Sequence, residues 1–193
     1  MKKIFPLLFL FFISLSLFAQ TSNLLSGSII GTRESVDYST NLSSTTVNTI
    51  QNVFDNDFNT FFASYERSGT WVGLDLGTKH VITKIGYSPR ISYASRVQLA
   101  VIEGANSPDF SDAVPLYLIP NAAAEKVMTY ADVSCSRGFR YVRYVSPSDV
   151  RCNLAELQFY GYEGNGTNTK FYQVTNLPTV TIHTENSQDV VSK

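Results

Sequence analysis

The sequence predicts an all-β sandwich domain, on three observations. Short segments rich in Val, Ile, Leu, Tyr and Phe recur along it, each bounded by Gly, Pro, Asn, Asp or Ser. Helical periodicity is almost absent. The 193 residues, 44% hydrophobic and 13% aromatic, suffice for one well-cored domain with little left for a second.

From the start of the chain, Lys2 and Lys3 precede a run over 4–17 that is apolar apart from Pro6, Ser14 and Ser16, and Ala19 then opens a polar stretch. Two charges, a short apolar core and a small-residue exit predict a cleavable signal peptide at 1–19. A membrane anchor would need about 20 apolar residues. The mature protein is therefore expected outside the cytoplasm, as a secreted, periplasmic or cell-surface protein with no membrane span. No cysteine stands near the exit to accept a lipid.

A polar N-terminal segment at 20–31 and a sandwich at 32–162 follow. Within the sandwich, Val47, Ile50, Val53 and Phe54 fall at helical spacing and predict a short helix over 46–54. Residues 71–77 place Val72, Leu74 and Leu76 at alternate positions and end in Gly77. Further strands are expected at 81–87, 97–102, 114–119, 139–145 and 154–162. In 139–145 the alternation does not say which face is buried. The composition then shifts. Residues 163–176 read as a linker, and 177–193, with strand-like Thr179-Val180-Thr181-Ile182-His183, as the start of a further domain.

Lys and Arg number 15 against 16 for Asp and Glu. A chain so balanced offers no electrostatic footprint for nucleic acid or an anionic membrane. Catalysis finds no support either. His80 and His183 stand in no metal-binding spacing, and neither a nucleophile elbow nor a phosphate-cradling glycine loop occurs. Asp75, between Leu74 and Leu76, reads as a strand-end carboxylate. The chain is not expected to be an enzyme. Cys135 and Cys152 flank a strand-like stretch. Export would let them pair, two separately buried thiols is the other reading, and spacing does not choose.

Four segments together resemble the coagulation factor 5/8 type C, or discoidin, domain and the bacterial carbohydrate-binding modules built on it. They are Val53-Phe54-Asp55-Asn56-Asp57-Phe58-Asn59-Thr60-Phe61-Phe62, Trp71-Val72-Gly73-Leu74-Asp75-Leu76-Gly77, Ile82-Thr83-Lys84-Ile85-Gly86-Tyr87-Ser88-Pro89-Arg90, and the closing pair of segments at 139–144 and 154–161. The resemblance covers about residues 23–162. It implies a jelly-roll, galactose-binding-like β-sandwich of about eight strands whose first and last strands lie close together.

The resemblance also implies a structural calcium, bound by the acidic loop and by an Ala-Glu pair near the C-terminal end. Here those residues are Asp55, Asp57, Thr60, Ala155 and Glu156. The residue types suit a hard cation, which takes about six to eight oxygens from carboxylates, carbonyls and waters. Glu156 interrupts an apolar strand, where an isolated charge is costly and should be paired or coordinated. An Asx-rich turn that caps its own backbone is the plainer alternative.

By position Arg90 matches an arginine that contacts sugar in several such modules. Tyr65, Arg67 and Tyr93 are expected to line the same loop end, which aromatic faces and planar donors suit to sugar. The sequence departs from the sugar-binding pattern at two places. Ala63 and Ser64 stand where a histidine is expected, and no asparagine follows Arg90 in the loop to Ser95. The function expected is a secreted, non-catalytic module that recognises a glycan or glycoprotein beside a neighbouring domain. The rival is a structural or protein-adhesion domain of the same fold.

Overall fold

The structure, a computed structural model, describes residues 21–167, with the backbone of 181–185 and 188–192. The expected signal peptide and most of the expected linker beyond Thr167 lie outside the described residues. Among those described there is no α-helix, and the architecture is a β-sandwich of antiparallel strands.

One strand organises the domain. β6 (Trp71–Pro89) is 19 residues long and serves both layers. Its first part pairs with β2 (Ser28–Gly31) and β10 (Gly138–Val145). Its second part pairs with β11 (Asn153–Glu163) and β9 (Thr129–Asp132). Beyond β10 lie β7 (Val101–Ala105) and β8 (Val114–Leu118), and beyond β11 lie β1 (Asn23–Leu24) and β5 (Phe62–Ala63). The segments at 71–77 and 81–87, expected as two strands, are therefore one, which passes Gly77 at φ +77° instead of ending there. The sheets also begin before residue 32, because β1 and β2 belong to them. A small hairpin of β3 (Ser35–Asp37) and β4 (Leu42–Ser44) stands apart.

The core lies between the layers. Val72, Leu74 and Leu76 point inward as the alternation predicts, facing Ile82, Ile85, Phe139, Val142, Tyr144, Leu154, Leu157 and Phe159. The unclear alternation in β10 has a local cause. A register shift against β6 between Phe139 and Tyr141 lets Phe139 and Val142 both face the core. Such an irregularity re-aims side chains at the cost of local pairing.

Two expectations fail locally. The 46–54 helix is reduced to a 3-10 turn at Ile50–Phe54 because Asn48 takes φ +52°, which an α-helix excludes, although Ile50 and Val53 are buried as the spacing predicts. The strand expected at 97–102 starts only at Val101, since Ala94–Val97 is another 3-10 turn. Cys135 and Cys152 are separate buried thiols. Cys135 precedes β10, which starts opposite Val81, and Cys152 precedes β11, which starts opposite Pro89, eight positions and about 26 Å further along β6. That exceeds a disulfide's reach several-fold. In the C-terminal region β12 (Thr181–Glu185) and β13 (Gln188–Ser192) form an antiparallel hairpin.

Candidate functional site

The loop that leaves the 3-10 turn is tied by its own polar groups. Asp55 accepts the Asp57 backbone N–H at 2.9 Å on Oδ1 and the Thr60 hydroxyl at 2.7 Å on Oδ2. Asn56 sits at φ +62°, a conformation an asparagine tolerates. The Thr60 hydroxyl also lies 3.1 Å from the Asp57 carbonyl and 3.4 Å from the Asn52 carbonyl. Side-chain and backbone oxygens thus crowd around one point. The Asp57 carboxylate turns elsewhere, accepting Asn59 N–H and Nδ2–H at 2.9 and 2.8 Å, so that Asp57 offers the cluster its carbonyl.

β11 brings Glu156 to this loop. A register shift against β6 between Leu154 and Glu156 leaves Ala155, Glu156 and Leu157 all buried. Glu156 is 2% exposed and its Oε1 has no hydrogen-bond partner among the described residues. Burial, and then the neighbouring Asp55 carboxylate, push its acid up to about 7, against a smaller opposing pull from the Asp57 and Asn56 N–H groups. The structure therefore brings Asp55, Thr60, Ala155 and Glu156 together, as the sequence predicts. Glu156 and Asn56 also line a cavity of about 290 Å³. No three His, Cys, Asp or Glu side chains converge among the described residues. A cation here would take most of its ligands from carbonyls and hydroxyls, which suits calcium and not zinc. The buried, unpartnered Glu156 oxygen fits such an ion.

Arg90 follows the end of β6 at the loop end of the sandwich. Its guanidinium lies over the Phe61 ring at 3.8 Å and over the Tyr38 and Tyr93 rings at 4.5 Å each. Its Nη1 donates to the Tyr38 hydroxyl at 2.8 Å and to Asn153 Oδ1 at 3.1 Å. Among the described residues no acceptor meets its Nε and Nη2 N–H groups. Tyr93 also stacks on Arg96 at 4.2 Å. The result is a half-buried planar cation, clamped by rings, with donors left over.

Of the predicted lining residues the structure joins Arg90 and Tyr93, while Tyr65 and Arg67 take other partners. Arg67 pairs with Asp149, giving Nε–Oδ1 3.1 Å and Nη2 to the Asp149 carbonyl 2.9 Å, in a mostly exposed bridge between loops. Tyr65 faces Arg151, whose guanidinium lies 5.6 Å from its ring. Tyr38 and Phe61 belong to the site and were not expected, and so does Asn153, the last residue of the loop at 146–153 that the sequence places at the same end. Phe61 also carried a signal, being the aromatic after Thr60.

No protein-family model and no curated relative matches the chain. Solved structures do. A family 62 carbohydrate-binding module from Clostridium thermocellum Xyl5A is 41% identical, with a TM-score of 0.66 over 73% of this chain and 98% of that one. The family 32 module of Clostridium perfringens NanJ in complex with galactose has a TM-score of 0.55 at 11% identity, over 72% of this chain and 99% of that one. The family 32 module of AlyQ in complex with 4,5-unsaturated mannuronic acid has 0.54 at 14%, over 71% and 97%. The last two share the fold, and the fold is the one the four sequence segments predict.

Proposed function

This chain belongs to family 62 of the carbohydrate-binding modules, and from that premise we propose that it binds a glycan at the Arg90 rim, without catalysis, on a frame stapled by calcium. The observation that carries the reading is the state of Arg90. Three rings and two acceptors hold its guanidinium, while its Nε and Nη2 donors are left without a partner among the described residues. A cation so ordered loses little freedom when a ligand arrives, so its remaining N–H groups are pre-set for sugar hydroxyls. The exposed edges of Tyr38 and Tyr93 supply apolar surface for the C–H face of a sugar ring.

The calcium reading rests on Glu156. An unpartnered carboxylate oxygen beside a second carboxylate is a costly arrangement that a divalent cation turns favourable. Asp55, Thr60, Glu156, the carbonyls of Asn52, Asp57 and Ala155, and water would hold it. The ion's part is structural: it ties the loop at 55–60 to the last core strand. Export of the mature protein agrees with both readings and with the apolar run at 4–17.

The test is a glycan array on residues 21–167, followed by titration of the best binder. Arg90→Ala is expected to weaken binding at least tenfold with an unchanged melting temperature. A folded domain that binds no glycan, or an Arg90→Ala variant that binds as well as the parent, overturns the proposal.

A further inference from the structure

A cavity of about 770 Å³ opens on the outer face of the layer formed by β2, β6 and β10, lined by none of the residues that clamp Arg90. Its wall includes Trp71, the chain's single tryptophan, and Tyr141. Both project to the outer face, because their neighbours Val72 and Val142 point into the core. Phe110 braces the pair from behind, with ring centroids 5.2 Å from Trp71 and 6.1 Å from Tyr141. Arg143 covers Phe110 at 4.0 Å and is itself paired with Glu103 at 2.7 Å. The aromatic wall is thus held from several sides, which a stacking surface needs.

The polar rim is supplied by Thr49, Gln51, Arg33 and Asp75. Their charges are unequal in effect. Asp75 is met by Arg140 through two parallel contacts, 2.8 and 2.9 Å, so its charge is compensated on the spot. Arg33 is exposed, and no ion pair among the described residues involves it. The cavity therefore carries one uncompensated positive charge beside an aromatic wall, a hydroxyl and an amide. The geometry points to a second carbohydrate site here, taking an acidic sugar whose ring lies against Trp71 and whose carboxylate meets Arg33. Aromatic carbon accepts the C–H face of the ring, Gln51 and Thr49 offer partners for its hydroxyls, and a guanidinium binds a carboxylate edge-on. The ligand class is a hexuronate, free or within a polysaccharide. The site does not depend on the Arg90 rim, so either can fail alone.

The lone tryptophan makes the site directly readable. Indole fluorescence is followed while sodium galacturonate, and separately galactose, is titrated into the wild-type chain and into Arg90→Ala. A saturable change with galacturonate is expected in both proteins, with galactose at least fivefold weaker. Arg33→Gln should abolish the preference between the two sugars, and Gln51→Ala should weaken both at least threefold. These side chains are exposed, and an unchanged melting curve for each variant confirms an intact fold. No saturable change with either sugar, a change that vanishes in Arg90→Ala, or a preference that survives Arg33→Gln overturns the assignment.

Discussion

Replacing Glu156 by glutamine should stabilise the domain in chelator and weaken it in calcium. With no cation, the fold holds a carboxyl whose acid is raised from 4.5 to about 7 by burial and by Asp55. A raised pKa favours the protonated form in the fold. Between pH 4.5 and 7 the folded state thus keeps a proton that the unfolded chain has lost, and stability falls as pH rises through that window. At about 1.4 kcal/mol per unit, the full penalty above pH 7 is about 3 kcal/mol. Glutamine keeps the shape and an acceptor for the Asn56 and Asp57 N–H groups but carries no charge. In chelator at pH 8 the variant should melt higher than wild type by up to about 10 °C, at about 3 °C per kcal/mol for a domain of this size. At pH 4.5 the difference should nearly vanish. Added calcium should raise the wild-type melt, because an ion bound only to the fold stabilises it by mass action, and should move the variant far less. The assay is thermal unfolding followed by far-ultraviolet circular dichroism, in chelator and in calcium. If the variant melts no higher than wild type at pH 8 in chelator, or both respond equally to calcium, the reasoning about this carboxylate is wrong.

Four substitutions probe the frame that carries the site. Ile85→Ala, at a fully buried position between the layers, should cost about 2–5 kcal/mol, read as a lower urea midpoint with an unchanged slope. Tyr144→Phe should be neutral or stabilise by about 1 kcal/mol, since the hydroxyl is buried with no partner among the described residues; a large loss in chemical denaturation would reveal a bond to something unseen. Gly73→Ala should unfold the domain or nearly so, because a Cβ there would stand 2.0 Å from the Val142 carbonyl oxygen; Gly77→Ala meets nothing within 4 Å and should cost only about 1 kcal/mol of left-handed backbone strain, so equal melting temperatures would contradict the packing described.

What could be read from the sequence divides along the line between local and long-range physics. The alternation of Val72, Leu74 and Leu76 is set by the two-residue period of a strand, and the structure buries all three. The meeting of the acidic loop with Glu156 was implied by the family resemblance, and a carboxylate that breaks an apolar run showed only that Glu156 needs a partner. What misled was punctuation. Gly77 reads as a stop, yet a left-handed residue can bend a strand without ending it, and β6 continues into the opposite layer. The helical spacing at 46–54 marked Ile50 and Val53 as buried, but Val47 stays exposed, and the spacing could not show that Asn48 and the following turn would tighten the backbone. The contacts of Tyr38 and Asn153 with Arg90 were invisible for a different reason. The two residues lie 52 and 63 residues from Arg90 and join it only through the hairpin at 35–44 and the start of β11. Arg67 was misplaced because a loop arginine looks the same whether it awaits a ligand or, as here, bridges to Asp149.

The register of β1 on β11 has a consequence for how such a unit sits in a longer polypeptide. Asn23 lies opposite Gly161, whereas Arg90 bonds to Asn153, eight positions back along the same strand and therefore about 26 Å away. Chain enters and leaves at the base, side by side, and the Arg90 rim stands at the far pole. Neighbouring segments can be lengthened, shortened or exchanged at that base without shadowing the rim, as a lamp on a stalk lights the same circle whatever it is bolted to.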